Sequence, residues 1–185
     1  MTICTHRGER LFGEIDGNDV QANDFAAAAT ACWQSLPNHF ANLEVDAFVV
    51  MPNHVHGVLA MSDVGATHAS PSERRRSSEP RATPASPLQA VRRGRRPGSV
   101  GAIVGSFKSA AAKRINSLRG TPRTAVWQRG YYEHVIRDED ELQRIRDYIA
   151  TNPQRWASDR ENPHRTGEDD FDRWRAALAH QSRAQ

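Results

Sequence analysis

Leu43-Glu44-Val45-Asp46-Ala47-Phe48-Val49-Val50-Met51-Pro52-Asn53-His54-Val55-His56-Gly57-Val58-Leu59-Ala60-Met61 reads as two extended segments joined by a tight reversal. Leu43 to Val50 is rich in β-branched and aromatic residues, as a half-buried strand requires. Pro52-Asn53 supplies turn chemistry, and His54 to Met61 returns as a second strand. The pair predicts an antiparallel hairpin at the centre of the fold. Side chains alternate along a strand, so His54 and His56 share one face with Val58 and Ala60, while Val55 anchors the other. Two imidazoles about 7 Å apart on one strand face can share a metal ion. Two ligands are too few for a stable site, so a third polar group has to come from elsewhere.

Working outward, Thr2 to Arg7 reads as a strand, which Arg10 to Ile15 continues after a break at Gly8. Asp24 stands where a helix N-cap belongs; Phe25, Ala28, Ala29, Cys32 and Leu36 follow at helical spacing, and Pro37 closes the segment. Ser99 can cap a second helix with an apolar stripe of Val100, Val104, Phe107 and Ala111, leaving Lys108, Lys113 and Arg114 outside it. Val126 to Arg137, with its Trp, Tyr, Val and Ile, predicts another strand. Asp138 and Glu141 then form a capping-box-like start to a last helix, which runs through Leu142, Ile145 and Ile149 to Asn152, where Pro153 stops it. On that helix Tyr148 and Asn152 are four apart and share a face at the edge of the apolar stripe. Two readings follow: a tyrosine and amide approaching the sheet as further site groups, or an amphipathic Tyr beside the core and an Asn closing a helix. The element order predicts an α+β fold, an antiparallel sheet with helices packed on it, close to the ferredoxin-like split βαβ arrangement.

The chain has 185 residues, of which only 38% are hydrophobic, so part of it is expected to stand outside the core. No apolar run approaches a membrane span, no charged-then-apolar leader opens the sequence, and Cys4 and Cys32 make no disulfide framework. A reduced, cytoplasmic protein without a membrane is the expectation. Residues 63–97 hold eight arginines and five of the ten prolines; their net charge of +5 leaves the remainder slightly acidic. That composition predicts a disordered basic insertion, either a solvated loop or a nucleic-acid arm. One domain is expected over residues 1–160, interrupted by the insertion at 62–98 and followed by a tail over 161–185.

Four motifs occur in order: Phe48-Val49-Val50-Met51-Pro52-Asn53-His54-Val55-His56-Gly57; Gly105-Ser106-Phe107-Lys108-Ser109; Trp127-Gln128-Arg129-Gly130-Tyr131-Tyr132-Glu133-His134-Val135-Ile136-Arg137; and Tyr148-Ile149-Ala150-Thr151-Asn152-Pro153. In this the chain resembles the REP-associated tyrosine transposases, within the single-tyrosine HUH transposases (His, hydrophobe, His). The likeness runs from the start to about Pro163, apart from 62–98. It implies a metal site on His54 and His56, a nucleophile at Tyr148, and an amide at Asn152 as the remaining metal ligand. The family carries several more strand residues ahead of Thr2, so the chain is expected to begin inside its first strand.

The resemblance implies attack of the Tyr148 hydroxyl on a phosphodiester of single-stranded DNA, giving a 5′-phosphotyrosine and a 3′-OH. A divalent ion, Mg²⁺ or Mn²⁺, would polarise the phosphate. It also implies a homodimer acting on hairpin or inverted-repeat DNA. Lys108, Lys113, Arg114 and Arg129 are candidates for DNA-backbone contacts, and Trp127, Tyr131 and Tyr132 for base stacking. Tyr131 and Tyr132 are also rival nucleophiles, though aromatics are ordinary in a strand. His134 is read either as a DNA contact or as a strand histidine paired across the sheet. The competing function is a domesticated or decayed module that binds hairpin DNA without cutting it. A histidine-rich nucleotide hydrolase is disfavoured because Val58 stands where a further alternating histidine is wanted.

Overall fold

The computed structural model describes residues 1–62 and 98–169, together with Phe171, Arg173, Trp174 and Ala176. The insertion expected over 62–98 lies almost wholly outside the described residues, as does most of the tail beyond 169. Among those described, the elements are β1 (Thr2–Cys4), β2 (Gly13–Asp16), β3 (Asp19–Ala22), α1 (Asp24–Gln34), β4 (Leu43–Met51), β5 (His54–Met61), α2 (Val100–Leu118) and α3 (Glu139–Thr151). The fold is mixed α+β, with helices packed on an antiparallel sheet.

The expected hairpin is the middle of that sheet. β5 pairs antiparallel with β4 on one side and with β1 on the other, giving the order β1-β5-β4. β1 and β4 therefore run parallel with β5 between them and α1 crossing from one to the other, which is the split βαβ connection. Alternation along β5 serves two faces at once. Val55 joins Ile3, Val50, Ile103, Phe107 and Trp33 in the core under α1 and α2. His54, His56 and Val58 point to the other side.

Trp33 organises the helical face. Its ring stacks on Phe48 at 4.7 Å and meets Phe107 edge-on at 5.5 Å. A Cβ at position 57 would fall inside that ring, so β5 carries glycine there. β4 holds a bulge. Val45 pairs with Leu59 and Phe48 with Gly57, so three steps on β4 match two on β5. The extra residue resets the alternation: Leu43 and Val45 face the core before it, Phe48 and Val50 after it.

Helix starts obey side-chain capping. Ser99 Oγ accepts from Ala102 N at 3.3 Å, and Asp138 Oδ1 accepts from Glu141 N at 2.8 Å, both as expected. For α1 the cap is Asn23, not Asp24: Asn23 Oδ1 accepts from the amides of Phe25 and Ala26 at 3.0 and 3.1 Å. An amide cap one residue earlier leaves Asp24 in the first turn, where its charge suits the helix dipole.

Two strand expectations need correction. Arg10 to Ile15 does not extend β1; a 3-10 turn at His6–Gly8 ends that line, and β2 pairs with β3 in a separate two-stranded hairpin. Its turn is Gly17-Asn18, with Gly17 at φ 61° as a tight hairpin demands. Val126 to Arg137 is extended beside β1 but is not a regular strand. Only two bridges form, Thr5 to Trp127 and Thr2 to Tyr132. Three steps along β1 thus face five along this segment, and Gly130 at φ 76° lets the surplus loop out. β1 is also too short to pair Glu133 to Arg137.

Gly57→Ala should cost about 1–3 kcal/mol, because Trp33 is held between two aromatic neighbours and cannot retreat. Urea unfolding checks this; an unchanged midpoint would contradict the packing described.

Candidate metal centre

His54 and His56 are both buried, at 0% and 7% exposure, and their Nε2 atoms stand 2.9 Å apart. The neighbouring amide sets the tautomer of the first. Asn53 Nδ2 donates to the Glu161 carbonyl at 2.7 Å, so Asn53 Oδ1 is the atom 2.9 Å from His54 Nδ1. An oxygen acceptor there requires the proton on Nδ1, which leaves the lone pair of His54 on Nε2. His56 Nδ1 lies 2.9 Å from the Thr2 hydroxyl, a partner that can donate or accept. Without a cation, His56 Nε2–H donates to His54. A Thr2 hydroxyl accepting from Nδ1–H would leave the His56 Nε2 lone pair available to a cation as well. The separation is close to that of adjacent ligands around one ion, about 3 Å for bonds near 2.1 Å.

Asp159 supplies the anionic member. It is 1% exposed, and its Oδ2 lies 3.9 Å from His54 Nε2. One ligand atom from each of His54, His56 and Asp159 falls within 4.8 Å of the others, a grouping suited to a metal ion. Asp159 is itself held: Oδ1 accepts from Glu161 N at 2.7 Å and Oδ2 from Asn152 Nδ2 at 3.1 Å. Asn152, expected as the third ligand, is fully buried, and its Oδ1 finds no hydrogen-bond partner among the described residues. An orphaned buried carbonyl costs about 1–3 kcal/mol. Two imidazole nitrogens and a buried carboxylate within one ion's reach fit a divalent cation, and the unpartnered Asn152 Oδ1 stands on the residue that holds that carboxylate.

Asp159 was not foreseen. It lies past Pro153, after the 3-10 turn Pro153–Ser158, in a stretch whose polarity reads as surface. The tail expected from 161 also begins by folding onto the site. Cys4 Sγ donates to Glu161 Oε2 at 3.3 Å, and burial, reinforced by Glu161, pushes this thiol up to about 12. Cys4 stands outside the grouping, which is made of nitrogen and oxygen donors.

α3 lays Tyr148 against the histidines. The Tyr148 and His56 rings are 5.3 Å apart at 65°, and Phe171 stacks on Tyr148 at 3.8 Å. A cavity of about 690 Å³ opens here, lined in part by His56, Val58, Tyr132, His134, Leu142 and Tyr148. His134 is not paired across the sheet; its Nε2 meets Glu141 Oε1 of α3 at 2.7 Å. Lys108 donates to the carbonyls of Gln128 and Gly130 at 2.5 and 2.7 Å, shaping the loop on which Arg129 is exposed. Lys113 is exposed on α2. Arg114 reaches the Cys32 thiol of α1, which places it with the helices across the sheet from the histidines. Trp127 faces inward, packed on Phe12 and Phe107 at 5.4 and 5.5 Å, and Tyr131 leans on the same core. His54, His56, Tyr148 and Asn152 are therefore brought together, whereas the basic residues are scattered.

The fold and centre define an α+β protein with a buried His-His-Asp group able to hold a metal ion. No family model matches the chain. It is 32% identical over 160 residues to an uncharacterized protein of Haemophilus influenzae, a match spanning 86% of this chain and 81% of that one, and it belongs to the same family as that protein. Among the described residues, no helix is long and apolar enough to cross a membrane.

Burial lowers the His54 imidazole from 6.5 to about 4. Between those values the unfolded chain binds a proton that the folded one refuses, so stability is full above about pH 6.5 and falls as pH drops towards 4. In metal-free buffer, this group should cost about 2 kcal/mol between pH 7 and pH 5. Urea midpoints at the two pH values check it: His54→Gln should lose correspondingly less, and equal losses would contradict the assignment.

Proposed function

We propose that the protein is a metal-dependent tyrosine transposase that nicks and joins single-stranded DNA carrying a hairpin or inverted repeat. One observation carries the reading: a helix-borne tyrosine lies 5.3 Å, ring to ring, from a buried histidine of a group able to hold a metal ion. The four sequence motifs supply the rest.

Tyr148 is the nucleophile. Its oxygen bonds to the scissile phosphorus, the bond from phosphorus to the 3′-oxygen breaks, and that oxygen leaves as a 3′-OH after taking up a proton. The phenolic proton passes to water. The product is a 5′-phosphotyrosine, and because it keeps a phosphodiester bond, an incoming 3′-OH reverses the step and joins strands without ATP. When bound to His54, His56 and the oxygens of Asp159 and Asn152, a divalent ion supplies positive charge that offsets that of the phosphate. Imidazole ligands favour Mn²⁺ and oxygen ligands suit Mg²⁺ as well. Asn53 and Thr2 orient the two histidines, work that ligand-facing side chains require. Tyr132 and His134 line the cavity where the strand would enter. Arg129, exposed on the loop that Lys108 braces, supplies a backbone contact, whereas Arg114 lies across the sheet from the histidines. A homodimer in the cytoplasm completes the proposal.

The test is a labelled single-stranded hairpin incubated with Mn²⁺ and resolved under denaturing conditions. Wild type should give a covalent protein–DNA band that a chelator abolishes. Tyr148→Phe should give none while still binding the hairpin, and Asp159→Asn should weaken the band by roughly 100-fold. Tyr131→Phe and Tyr132→Phe should keep it. A band that persists in Tyr148→Phe but vanishes in either strand variant would move the nucleophile off the helix. Hairpin binding without any adduct in the wild type would leave the DNA-binding module.

A further inference from the structure

α3 is thinly packed for a helix that carries a nucleophile. Among its residues only Ile149 is fully buried, with Leu142 and Ile145 half-buried on the same stripe. A stripe this narrow sets the depth of the helix against the sheet better than its roll about its own axis. Roll is what places Tyr148, because Tyr148 stands on one flank of the stripe. Arg146, two residues earlier and so about 200° around the helix, stands on the other flank.

Tyr148 lies between His56 and Phe171, and Arg146 is gripped by acids on the opposite flank. Its Nη2 donates to Asp46 Oδ2 at 2.6 Å, and its Nε lies 3.2 Å from both Asp46 oxygens, a two-pronged grip on one carboxylate. Its Nη1 donates to Glu139 Oε1 about two turns away at 3.2 Å, tying the guanidinium back to its own helix. The carboxylate is equally constrained. Asp46 sits in the β4 bulge, between Val45 and Phe48, and Oδ1 accepts from Ala47 N at 2.6 Å. Without the bulge the alternation on β4 would not deliver an acid at this point of the α3 face and Phe48 to the core as well.

We propose that Asp46 and Arg146 are positioning residues, a two-pronged latch between the β4 bulge and α3 that fixes the roll of the helix and so holds Tyr148 over His56 of the same chain. This rests on Tyr148 being the nucleophile. A side-chain tip about 6 Å from a helix axis moves about 3 Å for a roll of 30°. A misplacement of about 1 Å can cost roughly 100-fold in rate. A small roll is therefore enough to disable the step while leaving the sheet, the metal ligands and the DNA-binding surface intact.

Asp46→Asn, Arg146→Gln and the double variant test the latch by two routes. The first is the rate of adduct formation on the Mn²⁺-loaded protein. Each single variant should slow it by about 10- to 100-fold with hairpin affinity and Mn²⁺ affinity unchanged, the double variant should be no slower than either single, and Arg146→Lys, which keeps the charge without the fork, should fall between. The second needs no activity. Proton NMR should show a cross-relaxation contact between the Tyr148 and His56 rings in the wild type, lost in Asp46→Asn. Wild-type protein that shows the ring contact but makes no adduct would overturn the nucleophile and leave the latch to be judged by NMR alone. Variants that keep both contact and rate, or a double variant with fully additive losses, would overturn the latch.

Discussion

Asn53 is the side chain on which the rest of the centre depends. It follows the proline of the turn between β4 and β5, where its backbone carbonyl accepts from the Thr5 hydroxyl at 2.9 Å and from Thr5 N at 2.8 Å. Its side-chain amide faces two ways, towards His54 with oxygen and towards the Glu161 carbonyl with nitrogen. One planar group thereby fixes the His54 tautomer and draws in the segment that carries Asp159. Reversing the amide would set nitrogen against Nδ1 and carbonyl against carbonyl, which removes both hydrogen bonds in a buried site.

The centre is also a consequence of how β5 is shared. One face of the strand belongs to Trp33 and needs Val55 and the bare backbone of Gly57; the other belongs to the histidines. A slip of one residue would drive imidazoles into the core and Val55 into the site, so core packing holds the register of the ligands. The polar half is built differently. Its parts come from the β5 turn, the end of α3, the chain past Pro153 and the first strand, and they meet through single hydrogen bonds. Trp156 lies alongside His54 at 6.2 Å with Arg10 over its ring, closing the side that the sheet leaves open.

Much of this was legible in sequence, and the failures are physical. The hairpin and its two faces were readable because alternation on β5 is strict and Pro52-Asn53 marks the turn. Tyr148 and Asn152 were readable as partners because helical spacing is a local property. The β4 bulge also had a signal, the shift from apolar at 43 and 45 to apolar at 48 and 50, but a bulge and a fully buried strand leave similar patterns. Asp159 had none: its place depends on the hydrogen bond that the Asn53 side-chain amide, more than a hundred residues upstream, donates to the Glu161 carbonyl. The 126–137 segment misled for the opposite reason. Its aromatics and β-branched residues favour a strand locally, yet β1 offers too few backbone partners and Lys108 takes two of its carbonyls.

The central claim is that His54 and His56 bind one divalent ion through nitrogen, with an oxygen ligand beside them. Pulsed electron paramagnetic resonance on the Mn²⁺-loaded protein tests it directly, since ¹⁴N couplings report each coordinated imidazole. Two histidine couplings are expected in the wild type, one in His56→Ala, and two in Asp159→Asn at lower affinity. A Mn²⁺ spectrum without nitrogen couplings, or one unchanged in His54→Ala and His56→Ala together, would contradict the account.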